Sequence, residues 1–158
     1  MNRMETKRLL VRPLNAKDTD SLYTVLSDSE VMRHVEAPYS RQNTADFIER
    51  VCKTDPIPVY AVVWKDTGAV IGHLIYHPFD KASWELGWIL CRDVWNMGLA
   101  SELTAAVIED AQAKGIAALV IECSEEQLAS RRIAAKHGFQ FAGEENGLLL
   151  FRRRLENT

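Results

Sequence analysis

Apolar and polar residues follow one another at two spacings, which divide the chain into predicted strands and helices. Residues 9–11 are apolar between two arginines and predict a first strand. Pro13 ends this strand, because proline has no backbone N–H to donate to a neighbouring strand. Helical spacing follows at residues 19–26 and again at 44–51, with a short capped turn between them. We therefore expect one strand and then several short helices.

The middle of the chain predicts three consecutive strands. Residues 59–64 and 69–76 are strand-like and flank the turn residues 66–68, which is typical of a β-hairpin. A third strand is predicted at residues 84–91. Side chains alternate between its two faces, so Glu85 lies on the same face as Gly87. The carboxylate of Glu85 is therefore expected beside the space left by the absence of a side chain at Gly87.

The second half of the chain alternates helices with strands. Glycines follow both predicted helices, as is common at helix C-termini. The predicted elements are a helix at 99–111, a buried strand at 117–122, a helix at 125–137, and a closing hairpin of strands at 139–141 and 148–151. We expect one α/β domain spanning residues 1–158, with residues 148–155 forming an exposed end strand.

Composition limits the function. The chain has 158 residues and a net charge of −3, with no basic stripe for nucleic acid apart from the arginines at 152–154, which suit a solvated strand. Its three cysteines form no CxxC pair and its four histidines have no metal-ligand spacing, so we expect neither disulfides nor a metal. No apolar run has the length of a signal or membrane segment. We expect a cytoplasmic protein that binds neither nucleic acid nor membrane.

The strongest candidate for a ligand site is the loop and helix start at residues 95–101. A helix N-terminus presents unpaired backbone N–H groups at the positive end of the helix dipole, which favours an anion. Gly98 permits close backbone approach, while Ala100 and Ser101 are small. The alternative is that Gly98 only turns the chain. Neither GxxxxGK[ST] nor GxGxxG is present, which disfavours the two common nucleotide motifs.

Three motifs together carry a family resemblance over nearly the whole chain. They are ETKRLLVRP at 5–13 followed by Asp18 and Leu22, ELGW at 85–88 running into WNMGLASE at 95–102, and QLASRRIAAKHGF at 127–139. They resemble the GNAT superfamily of N-acetyltransferases, in particular its branch of Rim-type ribosomal-protein acetyltransferases. The chain departs from the family pattern at Trp95, where a Gln or Arg is usual, at Asn96, often a glycine, and at Gln127, usually an Asn.

The resemblance implies the GNAT fold: an α/β domain with a mixed, mostly antiparallel twisted sheet of about seven strands, flanked by about four helices, with splayed central strands. It also implies acetyl-CoA as co-substrate, held mainly by backbone, and no metal. The cofactor contacts that it implies are Trp88, Ile89, Leu90, Trp95, Asn96, Met97, Gly98, Leu99, Ala100, Ser101, Gln127, Ser130 and Lys136.

The catalytic roles also follow from the resemblance. Glu85 is the expected general base, with a structural ion pair as the alternative. The backbone N–H of Leu90, or else of Ile89, is expected to polarise the acetyl carbonyl. Many members place a tyrosine where this chain has Ala134, so Ser130 is the expected proton donor to the leaving sulfur. The alternative for Ser130 is an ordinary helix serine bonded to a preceding carbonyl.

The acceptor is expected to be a primary amine attacked directly in a ternary complex. A protein α-amino group has a pKa near 7.7–8.0, so about a tenth is neutral at pH 7, whereas a lysine near 10.4 is almost wholly charged. A peptide or protein N-terminus is therefore favoured over a small amine such as an amino acid, polyamine or drug. A non-catalytic CoA-binding module is the third possibility. His73 is expected to line the acceptor cleft, and the protein to be a bacterial monomer or homodimer.

Overall fold

The computed structural model describes residues 3–156, which contain eight strands and five α-helices. The strands are β1 (Met4–Glu5), β2 (Leu9–Pro13), β3 (Val59–Trp64), β4 (Val70–Pro78), β5 (Ser83–Leu90), β6 (Ala118–Cys123), β7 (Gln140–Glu145) and β8 (Leu148–Arg154). The helices are α1 (Thr19–Leu26), α2 (Ser29–Met32), α3 (Arg41–Cys52), α4 (Leu99–Ala113) and α5 (Leu128–Lys136).

All eight strands belong to one sheet in the order β1-β2-β3-β4-β5-β6-β8-β7. This confirms the expected mixed α/β fold. The strand count exceeds the expected seven by the two-residue strand β1, which is too short to show a period-2 pattern in the sequence. No helix in the described part of the chain is long and apolar enough to cross a membrane.

The chain forms two compact units. The first comprises the chain up to Ile75 together with Trp88–Leu99. Within it β2 pairs antiparallel with β3 from Leu9–Trp64 to Pro13–Tyr60, and β3 pairs antiparallel with β4. Helices α1 and α3 pack together, and their apolar faces contribute to a core that also includes β3. Its buried members are Leu14, Leu22, Val25, Leu26, Met32, Ile48, Val51, Val59 and Ala61.

A buried ion pair connects the end of β2 to the start of α1 in this unit. The two terminal guanidinium nitrogens of Arg12 donate to the carboxylate of Asp18 at 2.9 Å, and Asp18 is only 4% exposed. Burial alone would raise the pKa of Asp18, but the hydrogen bonds from Arg12 and from the backbone N–H of Asn15 outweigh it and lower the pKa. Asp18 is therefore a structural carboxylate.

The second unit comprises Tyr76–Gly87 and the chain from Ala100 onward. Here β5 pairs in parallel with β6 over three residues only, from Ser83–Ala118 to Glu85–Val120, although β6 continues to Cys123. The two strands therefore separate after Glu85. This confirms the expected splay and places the predicted base at the point of divergence.

The last hairpin corrects one expectation. Strand β8 lies between β6 and β7, so the exposed end strand is β7 and not the predicted 148–155 segment. The physical reason lies in the residues: β8 begins with three leucines and a phenylalanine and is half-buried, whereas β7 is almost wholly exposed. Helix α5 also begins later than predicted, because the Gln127 side-chain oxygen accepts the Ser124 N–H in a turn before it.

Candidate active site

The loop that leads into α4 has the backbone shape that an anion requires. Asn96 has φ 64° and Gly98 φ 79°, both left-handed, a region that favours glycine and tolerates asparagine. Leu99 is buried and begins the 15-residue helix α4. Within residues 3–156 no backbone carbonyl outside α4 accepts from the N–H groups of Asn96, Met97 or Gly98. These groups can therefore donate to a ligand.

Trp95 fixes the start of this loop. Its indole Nε1 donates to the backbone carbonyl of Leu90 at 2.9 Å, which ties the loop to the end of β5. The ring remains 41% exposed, so its remaining surface is open to contact. The departure from the family's Gln or Arg thus replaces a flexible polar side chain by one that is held in place.

Arg8 lies beside the same loop, which the sequence pattern did not predict. A Cβ added to Gly98 would lie 3.6 Å from the Nη2 atom of Arg8, an ordinary contact distance, so the guanidinium lies next to the loop backbone. Arg8 was apparent in the sequence only as part of the opening motif. Its position adds a positive charge to the N–H groups of the loop.

The backbone of Ile89 and Leu90 is held close to β4. A Cβ added to Gly72 would lie 2.0 Å from the Ile89 carbonyl oxygen, a distance that real Cβ atoms do not reach. The neighbouring Ile71 carbonyl accepts the Cys91 N–H at 2.7 Å. Only glycine at position 72 allows this approach, which sets where the predicted carbonyl-binding N–H groups lie.

Glu85 has a histidine partner that the sequence did not suggest. Its Oε1 lies 3.2 Å from Nε2 of His77, and the Glu85 side chain is 18% exposed. The other ring nitrogen, Nδ1, lies 2.8 Å from the Pro78 carbonyl oxygen. The hydrogen bond with Glu85 raises the pKa of His77.

Glu122 on β6 adds a second carboxylate near Glu85. Burial raises the pKa of Glu122, and repulsion from Glu85 and Glu145 raises it further. In the parallel register Glu85 lies opposite Val120, and Glu122 follows two residues later on the same face. Glu122 therefore adds a second negative charge beside Glu85.

The predicted contacts on α5 and at the start of α4 lie in the second unit. Ser130 is half-buried, and its hydroxyl donates to no carbonyl among the residues described, unlike Thr44, Thr54 and Thr104, which bond four residues back. The hydroxyl of Ser101 lies 2.7 Å from Nε2 of His137. The Ser130 hydroxyl is therefore available to a ligand, and its role as proton donor stays a prediction.

Lys136 lines a strongly cationic cavity at the end of α5. Its volume is about 770 Å³, and its charged lining is Lys136, Arg152, Arg153 and Arg154. Arg152 lies 3.5 Å from Asp80, and Arg153 donates to the His137 carbonyl. Burial lowers the pKa of His137, and the charges of Lys136 and Arg153 lower it further. His137 is therefore not the cation complementing the helix dipole that its position at the helix end suggests.

Two other sequence features have structural roles. His73 was expected to line the acceptor cleft, but it is 4% exposed and packs against Phe47 with ring centroids 5.6 Å apart. Burial lowers the pKa of His73 to about 4, so it is neutral. Burial also raises the pKa of the thiols of Cys91 and Cys123, which disfavours a nucleophilic cysteine.

The predicted site residues divide between the two units. Trp88, Ile89, Leu90 and the loop from Trp95 to Leu99 belong to the first unit. Glu85, Ala100, Ser101, Gln127, Ser130 and Lys136 belong to the second. The side-chain oxygen of Gln127 accepts the Ser124 N–H within a turn, so only its side-chain amide nitrogen is available for the predicted contact to the cofactor. In the described residues no group of three or more His, Cys, Asp or Glu side chains could hold a metal ion.

The fold is a mixed α/β domain in which two strands part at a carboxylate and a left-handed loop precedes a long helix. The sequence pattern of the acetyltransferase (GNAT) domain matches residues 8–140. The chain therefore belongs to the GNAT acetyltransferase family and is an acyltransferase.

Known proteins agree with this assignment. The chain is 29% identical over 141 residues to the uncharacterized N-acetyltransferase YnaD of Bacillus subtilis, covering 87% of this chain and 82% of that protein. A GNAT-family acetyltransferase structure from Bacillus anthracis matches with a TM-score of 0.87 at 21% identity, covering 96% and 98% of the two chains. RimL, a ribosomal L7/L12 α-N-protein acetyltransferase solved in complex with coenzyme A, matches with a TM-score of 0.85 at 17% identity, covering 99% and 100%.

Proposed function

We propose that this protein transfers the acetyl group of acetyl-CoA to a primary amine, with a peptide or protein N-terminus as the favoured acceptor. The observation that carries the proposal is the loop before α4, where left-handed Asn96 and Gly98 leave backbone N–H groups available beside the guanidinium of Arg8. That combination suits the pyrophosphate of coenzyme A. RimL, which shares the fold, is named for α-amine acetylation and for its complex with coenzyme A.

The remaining cofactor contacts are proposed from position and chemistry. The backbone of Trp88, Ile89 and Leu90 and the segment from Trp95 to Ser101 would hold the cofactor, which supplies an activated acetyl thioester. Lys136 would contact a cofactor phosphate, because in the described part of the chain its ammonium has no carboxylate partner and it lines a cationic cavity. Gln127 and Ser130 on α5 are the other cofactor contacts that the family resemblance implies.

The chemistry then needs three protein groups. Glu85 accepts the proton that the amine loses as it attacks, either directly or through water. The N–H of Leu90, or of Ile89, donates to the acetyl carbonyl oxygen, which gains negative charge during the attack. The hydroxyl of Ser130 donates to the sulfur as the carbon–sulfur bond breaks. Attack is direct, because the two thiols in this region have raised pKa values and are poor nucleophiles.

The test is an assay for free CoA thiol, run with acetyl-CoA and a panel of small amines and peptides with free N-termini. Glu85→Gln is expected to lower kcat by about a hundredfold and Ser130→Ala by about tenfold, since general acid–base catalysis contributes roughly 10²–10⁴-fold. Glu109→Gln and Ser21→Ala, both at exposed helix positions, are the matched controls and should retain full turnover. Full turnover in both site variants would refute the assignment of catalytic roles.

The panel also separates the alternative functions. A kcat/KM that is higher for an N-terminal α-amine than for a lysine-only peptide and for small amines supports the proposed acceptor. Higher kcat/KM for a small amine would replace it by the small-molecule alternative. A non-catalytic module would be stabilised by acetyl-CoA, by about 2.7 kcal/mol at a hundred times its Kd, and would release no thiol with any amine.

A further inference from the structure

The hydrogen-bonding pattern of His77 fixes where its protons lie. Nδ1 is 2.8 Å from the backbone carbonyl oxygen of Pro78. A carbonyl oxygen can only accept a hydrogen bond, so Nδ1 must carry hydrogen. In the neutral ring the lone pair is then on Nε2, which points at Glu85.

The contact between His77 and Glu85 is favourable only when one additional proton is present. Nε2 lies 3.2 Å from Oε1 of Glu85. With a neutral ring and an ionised carboxylate, two acceptors would face each other at this distance. A proton between them gives a charge-assisted hydrogen bond instead, whether it resides on nitrogen or on oxygen. The two side chains therefore bind one proton jointly.

The charges around the pair strengthen this proton binding. Glu122 approaches both His77 and Glu85 from β6, and Glu145 on β7 acts on Glu122 in turn. Among the described residues, Glu85 and Glu122 are the charged groups that act on His77. Negative charge favours the protonated pair, in agreement with the raised pKa of His77.

We propose that the base of this enzyme is the pair of Glu85 and His77, in which His77 is a positioning residue that shares the proton Glu85 takes from the amine. The proposal rests on the acetyl transfer proposed above. As the amine attacks, an N–H bond breaks and an O–H bond forms on Glu85 Oε1. The proton is then held between Oε1 and Nε2, and is later released to water, which restores the unprotonated pair.

The pair is a better base for this reaction than a lone glutamate. An ordinary glutamate has a pKa of about 4.3 and an ordinary histidine about 6.5, whereas an α-amine lies near 7.7–8.0. A base works best when its pKa lies close to the operating pH. Because Glu85 raises the pKa of His77 above its ordinary value, a proton that His77 shares is held closer to the range of the amine.

Nitrogen NMR of the enzyme without ligands tests the pair independently of activity. The expected result is that Nδ1 of His77 carries hydrogen at every pH, while Nε2 loses its proton with a pKa above 6.5. In Glu85→Gln the amide can donate to Nε2, so the proton affinity of His77 should fall by about tenfold or more. A neutral ring with hydrogen on Nε2, or a titration that Glu85→Gln leaves unchanged, would overturn the proposal.

The pH dependence of kcat tests the catalytic consequence. Two variants are needed: His77→Gln, which keeps a donor to Glu85, and His77→Asn, which keeps a donor to Pro78. Neither side chain can hold the shared proton. In both variants the ascending limb of the pH profile of kcat should therefore move to lower pH by about one unit, and kcat at neutral pH should fall about tenfold. His34→Gln, at an exposed position, is the control.

The outcomes separate this inference from the proposed function. Thermal unfolding identifies a variant that fails to fold, and the other His77 variant then decides the question. Suppose that Glu85→Gln abolishes turnover while both His77 variants keep the wild-type pH profile of kcat. The proposed acetyl transfer then stands, and the proposal that Glu85 and His77 share the proton is wrong. If no amine is acetylated, the proposed function fails, while the NMR titration still decides whether the pair binds a proton jointly.

Discussion

Replacing Gly72 by alanine should disrupt the close approach of β4 to the end of β5. The added Cβ would lie 2.0 Å from the Ile89 carbonyl oxygen and 2.9 Å from Cα of Leu90. Real Cβ atoms do not come within 3.0 Å of a heavy atom, so the two backbones must move apart by about 1 Å. The φ of +156° at Gly72 adds a conformational cost for any other residue.

The magnitude follows from these two costs. Overpacking in a well-packed region costs about 1–3 kcal/mol, and an unfavourable backbone conformation about 1–3 kcal/mol. Gly72→Ala should therefore lower the free energy of unfolding by about 2–5 kcal/mol. For a chain of this length that corresponds to a fall in Tm of roughly 5–15 °C. Affinity for acetyl-CoA should also fall in the folded variant, because the Ile89 and Leu90 backbone is displaced.

Gly68→Ala is the matched control for this experiment. Gly68 also has a positive φ, of +74°, but a Cβ there would meet no atom within 4 Å. Gly68→Ala should lower the free energy of unfolding only through the unfavourable backbone conformation, by about 1–2 kcal/mol. Urea unfolding gives the free energies, and calorimetric titration gives the affinity for acetyl-CoA. Equal losses in the two variants, or unchanged acetyl-CoA binding in Gly72→Ala, would refute the role assigned to the close approach.

Three other substitutions have clear expected results. Asp18→Ala should lower the free energy of unfolding, measured in urea, by about 2–4 kcal/mol, because it leaves Arg12 without its buried carboxylate partner. A loss below about 1 kcal/mol would contradict this. The folded protein raises the pKa of Glu122, so the stabilising contribution of this residue is present below its unfolded pKa and is lost as pH rises through its folded pKa. Glu122→Gln should therefore raise Tm near pH 7 but not near pH 4. The opposite dependence on pH would contradict this reasoning. Trp95→Phe removes the 2.9 Å hydrogen bond from the indole N–H to the Leu90 carbonyl, which contributes about 0.5–1.5 kcal/mol. The Kd for acetyl-CoA should therefore rise about threefold to tenfold, while kcat stays nearly unchanged. An unchanged Kd would contradict this.

The sequence predicted the elements well where burial leaves a clear pattern. Strands β3 and β6 are buried on both faces and are therefore continuous apolar runs, whereas α4 shows helical spacing. The inner position of β8 was missed, because chain order does not determine strand order within a sheet. The short strand β1 has too few residues for a pattern to be visible.

The candidate site was predictable only in part. Backbone features such as left-handed Asn96 and Gly98 follow from residue type and motif. The partner of Glu85 was not predictable, because His77 comes from another strand and its role depends on a contact across the sheet. Arg8 was missed for the same reason, since only the folded chain brings it next to Gly98.

Acetyl transfer itself is tested most directly by the mass of the acceptor. A peptide with a free N-terminus and no lysine is incubated with acetyl-CoA and either the wild-type enzyme or Glu85→Gln, and the product is measured by mass spectrometry. The expected result is one acetyl group on the α-amine with the wild-type enzyme and about a hundredfold slower product formation with the variant. Thiol release without any acetylated amine, or equal product formation by both proteins, would contradict the account.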